Sequence, residues 1–192
     1  MNKRQEAKMN TRNHILNITE ELIKENGLVK VSSKDISSRA DVAQGSIFLH
    51  FSTKMDLVYR VYSDKMDLIE KSLMKSCRLN MSSENFLRQF LDIHMTYEGI
   101  LSRMVKDYPY MESKLKTKVD NFENEIKNLL FDYLRKNNVQ KLSIVNSFIV
   151  IDAFYAQIKE YLREKTIYTT SNEYLKQKQG RLMKLTKILF GY

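Results

Sequence analysis

Two helix-start signatures bracket the segment Val31 to Leu57 and leave room for only two short helices between them. Ser32, with Asp35 three residues on, has the form of a capping box, in which paired side chains satisfy the orphaned N–H groups of a helix's first turn. Thr53 with Asp56 repeats the form at the head of a long amphipathic stretch. Ile36 and Ala40, four apart, share the inward side of the first helix, and Asp41-Val42-Ala43 makes the turn. The second helix is expected from about Gln44 to His50, with Ile47 and Phe51 inward. Its other face offers Gln44, Gly45, Ser46, Phe48, Leu49 and His50. Two short helices joined by a fixed turn are the geometry that lays one helix in a DNA major groove.

The rest of the chain reads as helix. One proline and five glycines in 192 residues leave few interruptions, and no run alternates as a half-buried strand would. An all-α fold is expected. Helix one is placed at about Thr11 to Asn26 after a polar arm, with Ile15, Ile18, Leu22 and Ile23 inward and Gly27 as C-cap. Helix four, Lys54 to Cys77, buries Leu57, Val61, Leu68 and Leu73. A stretch from Glu84 to Lys106 carries Phe86, Phe90, Ile93, Tyr97, Leu101 and Met104, with Gly99 as a candidate division. Pro109 sets the next boundary. Three further helices follow: Met111 to Lys136 with Leu115, Phe122, Ile126, Leu129 and Tyr133 inward, Leu142 to Lys165, and Asn172 to Phe190.

Composition excludes several classes. Cys77 is the only cysteine, so no disulfide within the chain and no cysteine-rich metal site is expected, and a reducing cytoplasm fits. The start, MNKRQEAKMNTRN, lacks a signal peptide's apolar core, and the apolar run around Ser147 to Ile151 is too short to span a bilayer. No membrane association is expected. His14, His50 and His94 lie far apart, without metal-ligand spacing, and there is no phosphate-cradling glycine loop or serine nucleophile motif. No cofactor, no metal site and no enzymatic activity are expected.

The net charge of +9 favours a polyanionic partner. The excess is spread along the chain: residues 1–60 hold ten basic against seven acidic side chains, and residues 61–192 hold 22 against 16. Lys3, Arg4, Lys8 and Arg12 cluster in the N-terminal arm. Lys176, Lys178, Arg181, Lys184 and Lys187 cluster near the other end and read as a solvated helix face.

From about Asn13 to Leu57 the chain resembles the DNA-binding domain of the TetR family of bacterial transcriptional regulators. Ile15-Leu16, Leu22-Ile23 and Gly27 match its first helix and the turn after it. Asp35-Ile36, Val42, Gly45-Ser46-Ile47-Phe48, His50-Phe51, Lys54 and Leu57 match its helix-turn-helix and the start of its fourth helix. The likeness covers about a quarter of the chain; the remainder matches only in length and helicity. Asp41 stands where the family usually has Gly, a position whose left-handed backbone Asn and Asp tolerate best after Gly. Ser37 replaces Ala, Phe48 replaces Tyr and so loses a hydroxyl, and Ala43 replaces the usual Ser or Thr cap.

The resemblance implies a three-helix DNA-binding domain, residues 1–53, and a C-terminal helical effector-binding and dimerisation domain, residues 54–192. Gln44, Gly45, Ser46, Phe48 and Leu49 match positions that touch bases or phosphates, His50 and Lys54 match phosphate contacts, and Ser33 and Lys34 match contacts at the start of the second helix. Their chemistry suits the task. Gln44 can pair with adenine, Gly45 lets backbone approach, and Leu49 can meet a thymine methyl. Each also has a plainer reading, as polar helix start, surface histidine or, for Phe48, partial core.

One such module buries little surface, so a homodimer on a palindromic double-stranded operator is expected. The family dimerises through its last two helices, which points to Val145, Phe148, Ile149, Phe154 and Ile158 with Leu175, Leu182, Leu185 and Leu189. Ordinary intrachain core is the alternative. A small-molecule effector would sit among the C-terminal helices, with His94, Tyr97, Met104, Tyr108, Tyr110, Phe122, Asp152 and Tyr155 as candidate lining. Asp152, directly after Phe148-Ile149-Val150-Ile151, is expected as a buried carboxylate in need of a partner. The expected protein is a cytoplasmic regulator, a repressor released from its operator by that effector. The alternatives are a DNA-binding protein of the same fold without an effector and an all-α enzyme.

Overall fold

The computed structural model describes residues 2–77, 81–136, 144–164 and 172–190. Among these the order is α1 (Lys3–Asn26), α2 (Ser33–Arg39), α3 (Gln44–His50), α4 (Lys54–Cys77), α5 (Ser83–Thr96), α6 (Glu98–Asp107), a 3-10 turn (Tyr108–Tyr110), α7 (Ser113–Lys136), α8 (Ile144–Arg163) and α9 (Asn172–Phe190), with no strand. The all-α reading stands.

Three boundaries differ from expectation. Helix α1 begins at Lys3, not Thr11, because Asn2 and Gln5 form a reciprocal capping box: the Arg4 N–H donates to Asn2 Oδ1 at 3.3 Å and the Asn2 N–H to Gln5 Oε1 at 3.3 Å. Residues 3–10 are all exposed, so no apolar stripe announced those turns. The stretch after Ser82 divides at Tyr97, whose backbone (φ −101°, ψ 13°) leaves the helical region; Gly99 lies inside α6. Helix α7 starts at Ser113, since Met111 is extended and buried after the Pro109 turn. The expected break at Asn137-Asn138 and the expected start at Leu142 lie outside the described residues.

Helix α4 is the central strut, packed against α1, α5, α6 and α7. Leu57, Val58, Val61, Tyr62, Met66, Ile69 and Leu73 are its buried side. Leu68 was expected there but is 43% exposed. It falls on the same side of the helix as Val61, yet the buried side has turned by then to Met66 and Ile69. Ile18, Ile93, Tyr97 and Leu129 are half-buried at the margins of the core.

Aromatic rings knit the C-terminal helices. Phe86 stacks on Tyr133 with centroids 3.5 Å apart, and Phe90, Phe154 and Phe190 form a chain of tilted and edge contacts at 6.3 and 5.5 Å. Lys178 departs from its expected solvated face. It is buried, donates to the Tyr161 carbonyl at 3.3 Å and lies 3.8 Å from that ring's centroid, where the ring's negative face stabilises the ammonium.

Glu70 on α4 lies beside Glu125, Asp67 and Lys118, and burial first, then the Glu125 charge, push its carboxyl up to about 7. Folded protein therefore holds a proton that the unfolded chain releases between about pH 4.5 and 7, and Glu70 lowers stability as pH rises through that window. Glu70→Gln keeps the site neutral. Its urea midpoint is expected to match wild type at pH 4.5 and to exceed it at pH 8; equal midpoints at both would contradict this.

Candidate nucleic-acid interface

Short-range bonds shape α2, α3 and the turn between them. At the head of α2 the Ser32 N–H donates to Asp35 Oδ2 at 2.9 Å and the Asp35 N–H to Ser32 Oγ at 3.1 Å. The Ser32 hydroxyl also donates to Asp35 Oδ2 at 2.6 Å, and this bond first, then that from the Ser32 N–H, holds the Asp35 carboxyl below its usual range. The Ser37 hydroxyl bonds back to the Lys34 carbonyl at 3.0 Å, the use available to it in place of Ala. Asp41 takes the left-handed conformation (φ 52°), and the Val42 N–H then reaches the Ser37 carbonyl at 3.1 Å to close α2.

Helix α3 begins at Gln44 without a side-chain cap, as Ala43 in place of Ser or Thr implied. Ile47 is fully buried and Phe51 nearly so, and they seat the helix in the apolar core that also holds Ile36. The opposite side is open. Gln44 and Gly45 are exposed, Ser46 is half-buried, Phe48 is 47% exposed and Leu49 78%. A Cβ on Gly45 would meet nothing within 4 Å, so packing does not require glycine there. Three contacts lock α2 to α1: Arg39 bonds to Glu25 at 2.5 and 2.8 Å and to Glu21 at 3.4 Å, and the His14 ring meets the Ala40 carbonyl at 3.1 Å.

The flanking residues divide. Lys34 is exposed and Ser33 half-buried at the start of α2. The Lys54 ammonium donates to the Val31 carbonyl at 2.9 Å, which anchors the start of α4 and leaves further protons for an anion. The His50 ring is half-buried with Nδ1 unpartnered, and burial, then Lys8 and Arg12, hold it toward the neutral form. The Arg12 guanidinium lies 4.8 Å from the Phe51 ring centroid.

Residues 15–61 match the family model for bacterial regulatory proteins of the tetR family. The chain carries a tetR-family DNA-binding domain. Its fold is shared along nearly the whole length. A TetR transcriptional regulator from Legionella pneumophila superposes with a TM-score of 0.75 at 20% identity, over 96% of this chain and 97% of that one. A transcriptional regulator from Aquifex aeolicus VF5 gives 0.76 at 18% identity, over 94% and 99%. AibR, solved with isovaleryl coenzyme A and operator DNA, gives 0.73 at 12%, over 94% and 98%. No curated protein matches the chain by sequence.

The tetR-family domain joins the other helices through a polar junction that the sequence did not announce. Asp107, buried at the end of α6, accepts the Leu28 N–H at 2.8 Å and the Tyr62 hydroxyl at 3.2 Å. Arg103, one turn earlier, donates to the carbonyls of Lys24 (2.9 Å) and Glu25 (2.7 Å) at the end of α1. Burial and the Asp107 charge raise the Tyr62 phenol well above its ordinary range, so it stays a donor. Gly27 lies between, at φ 81°, where a Cβ would come within 3.1 Å of Asp107 Oδ1 and 3.2 Å of Arg103 Nη1.

The candidate effector residues do not form one group. His94, Met104, Phe122 and Tyr155 are buried. His94 and Tyr155 meet edge to face at 6.1 Å, and Phe90 lies 4.5 Å from His94. Tyr97 is half-buried, Tyr108 donates to Asp120 at 2.7 Å, and Tyr110 is 66% exposed. Asp152 was expected to be buried. It is exposed and pairs with Lys127 at 2.9 Å, because it falls on the outer side of α8 from Ile151, Phe154 and Ile158.

The candidate dimer residues divide as well. Ile149 is 62% exposed, and Phe148, at 39%, stacks on Phe131 at 4.4 Å. Leu182, Phe154 and Ile158 are buried within the protomer, while Leu185 and Leu189 are half-buried. The side chains of Val145 and Leu175 lie outside the described residues. Ile188, 77% exposed, was missed.

Asp107→Ala strands a buried N–H and a buried hydroxyl together. It is expected to lower unfolding free energy by about 2–6 kcal/mol, at roughly 1–3 per unpaired group. Tyr62→Phe added to that variant should then cost less than it does alone. A double-mutant cycle in urea checks both; additive effects would deny the Tyr62–Asp107 coupling.

Proposed function

We propose that the protein is a homodimeric, sequence-specific DNA-binding regulator, acting in the cytoplasm as a repressor that leaves its operator when a small molecule binds. The supporting observation is the sidedness of α3. Ile47 and Phe51 seat it, and Gln44, Gly45, Phe48 and Leu49 face outward. Residues 1–53 read the groove, with Ser46 among the base contacts and Ser33, Lys34, His50 and Lys54 on phosphates, and residues 54–192 carry dimerisation and effector response. The regulatory family of the N-terminal domain supports a regulator over an enzyme.

The exposed apolar side chains Phe148, Ile149 and Ile188 support pairing through α8 and α9. For the effector, His94 is the residue with chemistry to offer. A carbonyl only accepts, so Nδ1 donates to the Phe90 carbonyl at 2.8 Å. Burial lowers the imidazole pKa to about 4, which leaves Nε2 a neutral, buried acceptor without a partner. A molecule bound there would have to offer Nε2 a hydrogen-bond donor. AibR's solved complex with isovaleryl coenzyme A shows a small molecule on that relative. A second reading, the same fold without an effector, is favoured by the close packing between Tyr62, Met66, Ile69 and Met104, which leaves no room there for even a water molecule, against roughly 300–1,000 Å³ for common ligand sites.

Selection of bound sequences from a random duplex pool is expected to return a palindrome. Gln44→Ala with Ser46→Ala should weaken binding to it by about 10-fold or more, at roughly 1–3 kcal/mol for a good base contact. Sequence-blind binding that the pair leaves unchanged would contradict the reading. In a compound screen, His94→Phe should keep the DNA affinity and lose the release; no releasing compound for wild type favours the effector-free reading.

A further inference from the structure

Arg4, Lys8 and Arg12 recur every fourth residue, so α1 carries them in one row along its first three turns. Residues 3–10 are exposed, and among the described residues no ion pair involves Lys3 or any member of the row. Several cations elsewhere are paired. Arg39, Arg60, Arg88, Lys118, Lys127 and Lys159 each face a carboxylate.

The row leads to the C-terminal end of α3. Arg12 lies over the Phe51 ring at the end of α3, and Lys8 and Arg12 both lie close enough to act on the His50 imidazole. Its own energetics are poor in water. Lys3 and Arg4 occupy the first turn, where the positive end of the helix dipole repels cations. No buried side chain supports residues 3–10, and a helical segment this short is marginal without packing. An anion laid along the row relieves both costs.

We propose that this row is a second DNA contact, a ridge that grips backbone phosphates flanking the groove entered by α3. It rests on the reading of α3 as the groove helix and adds affinity without adding sequence preference. From Arg4 to Arg12 the ridge spans about 12 Å at 1.5 Å per residue. A duplex offers one phosphate charge per about 1.7 Å of axis, so each cation has a phosphate within reach.

The test uses the full chain, wild type and Arg4→Gln/Lys8→Gln, against the duplex recovered by selection and a random-sequence duplex of equal length. Arg12 is retained to keep its contact with Phe51, and thermal melts check that the variant folds as wild type does. Two lost phosphate contacts per protomer, four in the bound dimer, should make the slope of log affinity against log salt shallower by roughly 3.6 on both duplexes, at about 0.9 per contact. The ratio of the two affinities should hold. An unchanged slope in a protein that still prefers the selected duplex overturns the ridge and leaves the reading of α3 intact. Absence of preference in wild type overturns the reading of α3, and the ridge with it.

Discussion

The geometry of this protein hangs on one buried carboxylate. Asp107 accepts the first N–H after the α1 turn, from Leu28, and the Tyr62 hydroxyl of α4. With Arg103 holding the last carbonyls of α1, it fixes the reading domain to the strut that leads out of it. Apolar packing alone would permit small rotations of α1 on α4 and α6, since burial is non-directional. Two bonds to one oxygen and two to one guanidinium allow far fewer. The aim of α3 relative to the other helices is set here, and any movement of α6 is felt at the end of α1.

The same junction shows where polar bonds outweigh propensity. Gly27 takes a backbone conformation (φ 81°, ψ 160°) that other residues enter at a cost, and it lies against the Asp107 carboxylate. Asp41 holds the other positive φ of the domain. There a side chain is tolerated because the turn between α2 and α3 is open to solvent. At Gly27 a side chain is opposed by the backbone conformation and crowded by its neighbours, whereas at Asp41 it is accepted with modest strain.

Much of the reading domain was legible because its signals are local. The Ser32–Asp35 box, the Asp41 turn, the spacing of Ile36, Ala40, Ile47 and Phe51, and the limits of α3 all depend on neighbours within a few residues. The first turns of α1 were not legible, because a helix capped by Asn2 and clothed in polar side chains has no apolar stripe to read. Leu68 and Asp152 were misplaced for one reason. Position on a long helix fixes a direction, but which neighbours cover that direction changes along its length. Asp107 and Arg103 left no mark in the sequence, since their partners, Leu28, Tyr62, Lys24 and Glu25, are brought to them only by the packing of α1 and α4 on α6.

The charge of the chain acts locally, not through its total. An excess of +9 spread in proportion to length says little, whereas Lys3, Arg4, Lys8 and Arg12 gather on the first turns of α1 with no ion pair among the described residues. Under the proposed function that row supplies sequence-independent attraction beside the helix that reads. The most direct measurement is a crystal structure of the full chain on the duplex it selects. The account predicts Gln44 and Ser46 within hydrogen-bond reach of base edges in the major groove and Leu49 against a base. A duplex held elsewhere on the protein, with α3 facing solvent, would contradict it.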